Sequence, residues 1–240
     1  MTFGPNGVRA VIFDWDGTLR HNQPSAVKVF QDYAVHLGIR DSQEKRLENT
    51  RWAHYYWAQS QDLQADLVEY PDENDFWINY ARRSLLSFGS SIIQAEQFAP
   101  EMQAYMNEVY EPVDWVADDI PQTLQSLLDA GFRLAVLSNR TKSYTEQVQE
   151  LGLSEYFEFA LAAGEVEVWK PDPAIFHHTL RRLNLSPEQA IYVGDNYYAD
   201  VIGSREVGMR PVLLDPEGVF PEAGCPVIHS VGELSRVLGE

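Results

Sequence analysis

Hydrophobic positions along the chain follow two different rhythms. Val8 to Phe13 is apolar at odd and even positions alike, Arg9 excepted, and it stops abruptly at Asp14-Trp15-Asp16-Gly17-Thr18. A run apolar on both sides of an extended chain predicts a strand covered on both faces, as in parallel sheets. Four further runs read as strands: Arg133 to Leu137, Phe157 to Leu161, Ala190 to Gly194 and Arg210 to Leu214. Helical segments separate them. One opens at Asp118-Asp119 and closes at Gly131, one runs to Leu151 before Gly152, one runs from Pro173 to about Leu183, one stops near Gly208, and the last lies around Val231 to Leu238. Strands alternating with helices predict crossover units and a parallel sheet.

Residues 21–115 keep the other rhythm. After the polar loop Arg20-His21-Asn22-Gln23, Pro24 suits the first turn of a helix running to Gly38. From Asp41 to Glu111 apolar and aromatic residues recur at three and four: Trp52, Tyr55, Tyr56; Phe76, Tyr80, Leu85; Met102, Tyr105, Met106, Val109. The predicted fold is therefore α/β. A sheet core of residues 1–20 and 116–240 is flanked by helices, with an all-helical segment, 21–115, inserted between the first and second core strands. An insert at that point would stand over the carboxyl ends of the strands, where a lid belongs.

Composition narrows the function classes. The 240 residues carry a formal net charge of −18, which argues against nucleic acid and anionic membranes as partners, since both need a basic face. An anionic substrate must then be captured locally, by metal, lysine and helix N-termini. Cys225 is the single cysteine, so no intrachain disulfide forms and a cytoplasmic setting is favoured. Residues 1–7 show no signal-peptide pattern, and no apolar run reaches transmembrane length. The aromatic-rich helical segment could support a homodimer.

The candidate chemistry sits at the strand ends, where open α/β sheets bind ligands. Asp14 and Asp16 end the first strand, and two carboxylates this close repel unless a cation lies between them. Hard oxygen donors point to Mg2+. The second strand ends in Ser138-Asn139, and the fourth in Asp195 with Asp200 beyond it. Lys170 precedes the rigid turn Pro171-Asp172-Pro173. Gly17 permits close backbone approach, and Thr18 is expected to satisfy backbone groups of its turn.

Four motifs in this order, Asp14 to Thr18, Ser138-Asn139, Lys170 to Pro173 and Gly194-Asp195 to Asp200, resemble those of the haloacid dehalogenase superfamily of phosphohydrolases. The likeness is to the branch with a helical cap after the first strand, and it implies a Rossmann-like core. The resemblance implies a role for each residue. Asp14 would be the nucleophile, forming an aspartyl-phosphate. Asp16 would be general acid and then base, its main-chain carbonyl also binding the metal. Asp195 would be the second carboxylate ligand of Mg2+, and Asp200 would orient metal-bound water or hold Lys170. Ser138 and the amide of Asn139 would bind phosphoryl oxygens. Lys170 would neutralise nucleophile and phosphoryl group. The metal set is thus Asp14, Asp16, Asp195 and Asp200, and the substrate a small phosphorylated metabolite.

Rival readings stay open on sequence alone. A phosphomutase keeps both aspartates. A dehalogenase of the same fold needs only the first. A binding protein could keep the fold without turnover. Each motif also has a local alternative: Ser138-Asn139 could cap the next helix, and Asp200 could be a plain first-turn acid. Trp52, Tyr55, Tyr56 and Trp57 could line a pocket, although aromatics at helical spacing are commonly core. His21 could touch substrate.

Overall fold

A computed structural model describes residues 7–239. The reading of residues 1–7 as lacking a signal peptide falls, for residues 1–6, outside the described residues. The chain divides into two compact units, residues 1–21 with 116–240 and residues 22–115.

In chain order, β1 (Ala10–Phe13) is followed by β2 (His21–Gln23) and five helices: α1 (Ala26–His36), α2 (Gln43–Trp57), α3 (Gln61–Glu69), α4 (Glu73–Ser87) and α5 (Ile92–Glu108). Then come β3 (Val113–Trp115), α6 (Asp119–Asp129), β4 (Arg133–Ser138), α7 (Thr145–Glu150), β5 (Ala160–Ala162), α8 (Pro173–Leu183) and β6 (Ala190–Gly194). The chain ends with α9 (Gly203–Glu206), β7 (Arg210–Leu214), β8 (Val227–Ile228) and α10 (Leu234–Leu238).

Six parallel strands form the first unit's sheet in the order β5-β4-β1-β6-β7-β8. The central β1 explains its own sequence. Phe13 is paired with Val136 on one side and Val193 on the other. Val11 and Phe13 join one buried layer with Leu134, Val136 and Val193, while Ala10 and Ile12 join the opposite layer with Ala135, Leu137 and Tyr192. Successive side chains of a strand face opposite ways, so a strand covered on both faces must be apolar throughout. From β1 the chain crosses to β4 on one side, and from β6 it continues to β7 on the other. The carboxyl ends of β1 and β6 therefore flank the reversal of strand order, where such sheets form their ligand crevice.

The second unit is helical in its interior. Ser42, Ser60, Asp72 and Ser91 each cap the helix that follows through a side-chain oxygen, which fixes four of its five starts. Its core contains Phe30, Leu85, Phe88 and Met102. A second cluster holds Tyr56, Leu63 and Phe76, with the buried Asp66 accepting from Tyr56 Oη at 3.0 Å and paired with Arg83 at 2.7 Å.

Several elements differ from expectation. The segment 21–115 is not wholly helical, because its ends pair as the two-stranded β2–β3 ribbon. Those strands are short and polar or exposed, so no alternation marks them. The helix predicted from Pro24 begins two residues later, after Ser25. The third predicted strand is displaced toward residues 160–162, although Glu158 N still donates to Leu134 O at 2.9 Å. β8 is a sixth strand of two residues, too brief for a pattern to reveal. Among the described residues, no helix is long and apolar enough to cross a membrane.

Candidate active site

β1 delivers Asp14 into the crevice, its amide still bonded to Val193 O at 2.8 Å. The chain then turns tightly, with the amides of Leu19 and Arg20 both donating to Trp15 O at 3.0 and 2.9 Å. Gly17 has φ +88°, and a Cβ there would lie 2.4 Å from an Asp195 carboxylate oxygen. Glycine is required here by both backbone and space. At Gly194 space alone makes the demand, since a Cβ there would lie 2.2 Å from Asp200 Oδ2. These two glycines let acids from separate segments close on one point.

That point is a carboxylate cluster. Oxygens of Asp14, Asp195 and Asp200 all lie within 4.8 Å of one another. Lys170 enters among them, its Nζ donating to Asp14 Oδ1 at 2.6 Å, to Asp200 Oδ1 at 2.7 Å and to Tyr192 Oη at 3.0 Å. Lys170 is 2% exposed, Asp14 6% and Asp200 1%, so these charges meet with little water between them.

The electrostatics follow from that burial. Burial works against the Lys170 charge, but Asp14 and Asp200 outweigh it and raise its pKa well above the ordinary value. Burial, opposed by Lys170 and reinforced by Asp200, pushes Asp14 up from the ordinary 3.8 to about 7. Burial and the neighbouring Asp14 and Asp200 likewise raise Asp195 well above the carboxylate range. One ammonium does not balance three carboxylates. The donor set, hard oxygens converging in a partly dry crevice, fits a divalent cation of the Mg2+ or Ca2+ type.

A stability prediction follows. Asp14 holds a proton in the fold that the unfolded chain sheds near 3.8, so its contribution is present below that pH and is lost as pH rises to about 7. In EDTA the melting temperature is expected to fall across that window. Excess Mg2+ should raise it more at pH 8 than at pH 5, since binding displaces protons. Thermal unfolding at both pH values, with and without metal, measures this; a metal increment larger at pH 5 contradicts it.

Asp16 is differently engaged. Arg140 grips its carboxylate with two nitrogens, Nε to Oδ2 and Nη2 to Oδ1, both at 2.7 Å, and Arg20 adds a third contact at 3.1 Å. Ser138 Oγ lies 3.5 Å from Asp16 Oδ2. Arg140 is itself held by Gln147 Oε1 at 2.7 Å, which also accepts from Trp15 Nε1 at 3.0 Å. The Asp16 carboxylate is thus turned to guanidinium groups, while the cluster within 4.8 Å consists of Asp14, Asp195 and Asp200.

Several of these side chains make contacts that the sequence reading did not include. The Asn139 side chain clamps the main chain of Lys170, donating to its carbonyl at 2.8 Å and accepting from its amide at 2.7 Å. Thr18 does more than serve its turn, since its hydroxyl donates to Asp195 at 3.2 Å. Ser138-Asn139 caps no helix, for α7 begins only at Thr145. Asp200 lies in a π-helical segment, Tyr197–Ile202, where its Oδ2 accepts from Asn196 N at 2.9 Å and its Oδ1 reaches Lys170. Such widened turns recur at functional sites because they redirect one side chain. Of the four aromatics Trp52, Tyr55, Tyr56 and Trp57, only Trp57 lines the large cavity of the helical unit. His21 is half-buried, and burial lowers its pKa.

Two residues escaped the sequence reading. Tyr192 accepts from Lys170 and donates to Leu137 O at 3.0 Å, so it seats the lysine. A lone phenol in an otherwise apolar strand was its signal. Arg140 was signalled only by its place directly after Ser138-Asn139.

A parallel sheet that gathers a lysine and three carboxylates at its carboxyl edge defines a class of hydrolase core. Residues 8–208 match the profile of the haloacid dehalogenase-like hydrolases, and the chain belongs to that family. Among curated relatives, the human haloacid dehalogenase-like hydrolase domain-containing protein 3 is 37% identical over 151 residues, 62% of this chain and 58% of that protein. The match thus spans less than two thirds of the human relative's length. A glyceraldehyde 3-phosphate phosphatase of Methanopyrus kandleri is 30% identical over 210 residues, covering 86% of this chain and 84% of that one. Among solved structures, a 2-haloacid dehalogenase from Pseudomonas syringae pv. Tomato DC3000 is 26% identical at a TM-score of 0.55, covering 97% of this chain and 98% of the other.

Proposed function

We propose that the protein is a Mg2+-dependent phosphatase that hydrolyses a small phosphate monoester through an aspartyl-phosphate on Asp14. The observation that carries this reading is the buried meeting of Lys170 with Asp14 and Asp200, with Asp195 within 4.8 Å of both acids. An anionic nucleophile can approach an anionic substrate only where fixed positive charge offsets their repulsion. The phosphatase named among the relatives supports a small phosphorylated metabolite as substrate.

Asp14, Asp195 and the main-chain carbonyl of Asp16 would hold Mg2+, with Asp200 steadying its water and Lys170. Bound there, Mg2+ supplies neutralisation of phosphoryl oxygens. Ser138 and the Asn139 amide bind the other oxygens. An Asp14 carboxylate oxygen forms a bond to phosphorus while the ester P–O bond breaks. Asp16, whose carboxylate Arg140 pairs at rest, relays a proton from solvent to the departing alkoxide. Water then attacks phosphorus, Asp16 takes back a proton, and the Asp14–phosphorus bond breaks. In this reading the helical segment is the cap that chooses among phosphate esters.

The test is phosphate release from p-nitrophenyl phosphate with Mg2+, and its loss in EDTA. Full activity in EDTA rejects the reading. Halide release from a 2-haloacid without metal would favour the dehalogenase alternative, and an isomerised sugar phosphate the mutase.

Arg140 carries a second prediction. Its two bonds orient Asp16, and a disoriented acid forfeits part of the roughly 10²- to 10⁴-fold that general acid–base catalysis contributes. Arg140→Ala should lower kcat about tenfold or more with KM little changed. Arg140→Lys should not rescue it, because an ammonium lacks the planar fork. Steady-state kinetics decide; a pure rise in KM would instead make Arg140 a substrate anchor.

A further inference from the structure

The helical unit bears an open cavity that the chemistry above leaves unused. Its volume is about 750 Å³, within the range of small-molecule sites, and every residue lining it lies between 22 and 115. Part of its wall is a cluster of three rings. The centroids of Trp57, Trp77 and Tyr80 lie 5.2, 5.6 and 5.8 Å apart. Trp57 Nε1 donates to Tyr80 Oη at 3.2 Å, which uses the indole's one polar group and leaves Tyr80 its hydroxyl hydrogen to donate. The three rings supply π surface to this wall, and ring faces carry negative potential.

The charged groups lining the cavity share that sign. Asp72 and Glu73 line it and are exposed. No lysine, arginine or histidine stands among the described residues that line it. Asp72 also caps α4, accepting from the amides of Asn74 and Asp75 at 3.0 and 3.2 Å, so the helix N-terminus is already satisfied and offers little to an anion. The net charge of −18 draws cations toward the whole surface. Aromatic faces beside carboxylates make the environment in which alkylated ammonium groups are recognised, because the cation interacts with the rings without needing many hydrogen bonds.

We propose that this cavity binds a small organic cation bearing an alkylated ammonium group, held against Trp57, Trp77 and Tyr80 and neutralised by Asp72 and Glu73. An anion would meet two carboxylates and no cation. A neutral apolar molecule would fit the rings but gain nothing from the acids. The proposal does not rest on the phosphatase reading, and its test measures binding alone.

The test is isothermal titration of the full chain with choline and with 3,3-dimethylbutan-1-ol, the neutral carbon analogue of the same shape. Choline should bind saturably and at least tenfold more tightly than the alcohol. Asp72→Asn/Glu73→Gln keeps a capping side chain at position 72 and should weaken choline at least fivefold. Trp77→Leu should weaken it at least tenfold, with thermal unfolding confirming that the variant folds. Should Trp77→Leu fail to fold, the isostere pair and the charge variant still decide. Equal affinity for choline and alcohol, no saturable choline binding at tens of millimolar, or an unchanged affinity in the charge variant overturns the proposal.

Discussion

Asp14→Asn is expected to lower phosphate release by about 10⁴-fold or more, the scale seen when a catalytic nucleophile is removed. The same change should not harm the fold. Asn is isosteric, and its side-chain oxygen can still accept from Lys170, which bonds Asp14 Oδ1 at 2.6 Å in the native site. It also removes one of three mutually repelling carboxylates, the one that burial pushes to about 7. In EDTA at pH 8 the variant should therefore melt at or above the wild-type temperature, while in Mg2+ it should gain less from the metal. Paired measurements of p-nitrophenyl phosphate turnover and thermal unfolding check both halves. Activity within tenfold of wild type would remove Asp14 from the nucleophile's role.

Lys170→Ala should be the mirror image, damaging both fold and rate. It leaves Asp14 and Asp200, 6% and 1% exposed, facing each other without the ammonium between them. Breaking a buried pair from one side costs about 3–5 kcal/mol. In a protein of this size that corresponds to a fall on the order of 10 °C in melting temperature. Mg2+ should restore part of it by supplying the missing positive charge. The rate should fall at least about 10²- to 10³-fold, the range for losing one preorganised electrostatic group. Lys170→Arg should not rescue turnover, because the pocket shaped by Tyr192 and the Asn139 clamp seats a point charge and not a planar fork. A near-native rate in Lys170→Ala would mean that another cation does this work.

Much of the core was legible from periodicity alone. Ala190–Gly194, Arg210–Leu214 and Pro173–Leu183 stand where the apolar pattern puts them, because strands buried on both faces and a proline-started helix leave strong local signatures. Elements of two or three residues left none: β8 and the β2–β3 ribbon arise from pairing with neighbours distant in sequence. The candidate site divides in the same way. Asp14, Asp16, Ser138, Asn139, Lys170, Asp195 and Asp200 could be picked out as polar groups at strand ends or before a rigid turn. Several of their partners could not. That Arg140 holds Asp16, that Thr18 reaches Asp195 across 177 positions, and that the Asn139 side chain clamps Lys170 are facts of orientation, which a one-dimensional pattern does not encode.

By itself the sequence determined the alternation of strands and helices, and it placed carboxylates and a lysine next to strand ends, since both follow from local patterning and backbone chemistry. The tertiary structure decided how closely those groups meet and which further side chains hold them. Burial in the crevice between β1 and β6 brings three acids within 4.8 Å, puts Lys170 among them and turns Asp16 toward Arg140, because the energy of an ion depends on its neighbours and on how little water reaches it.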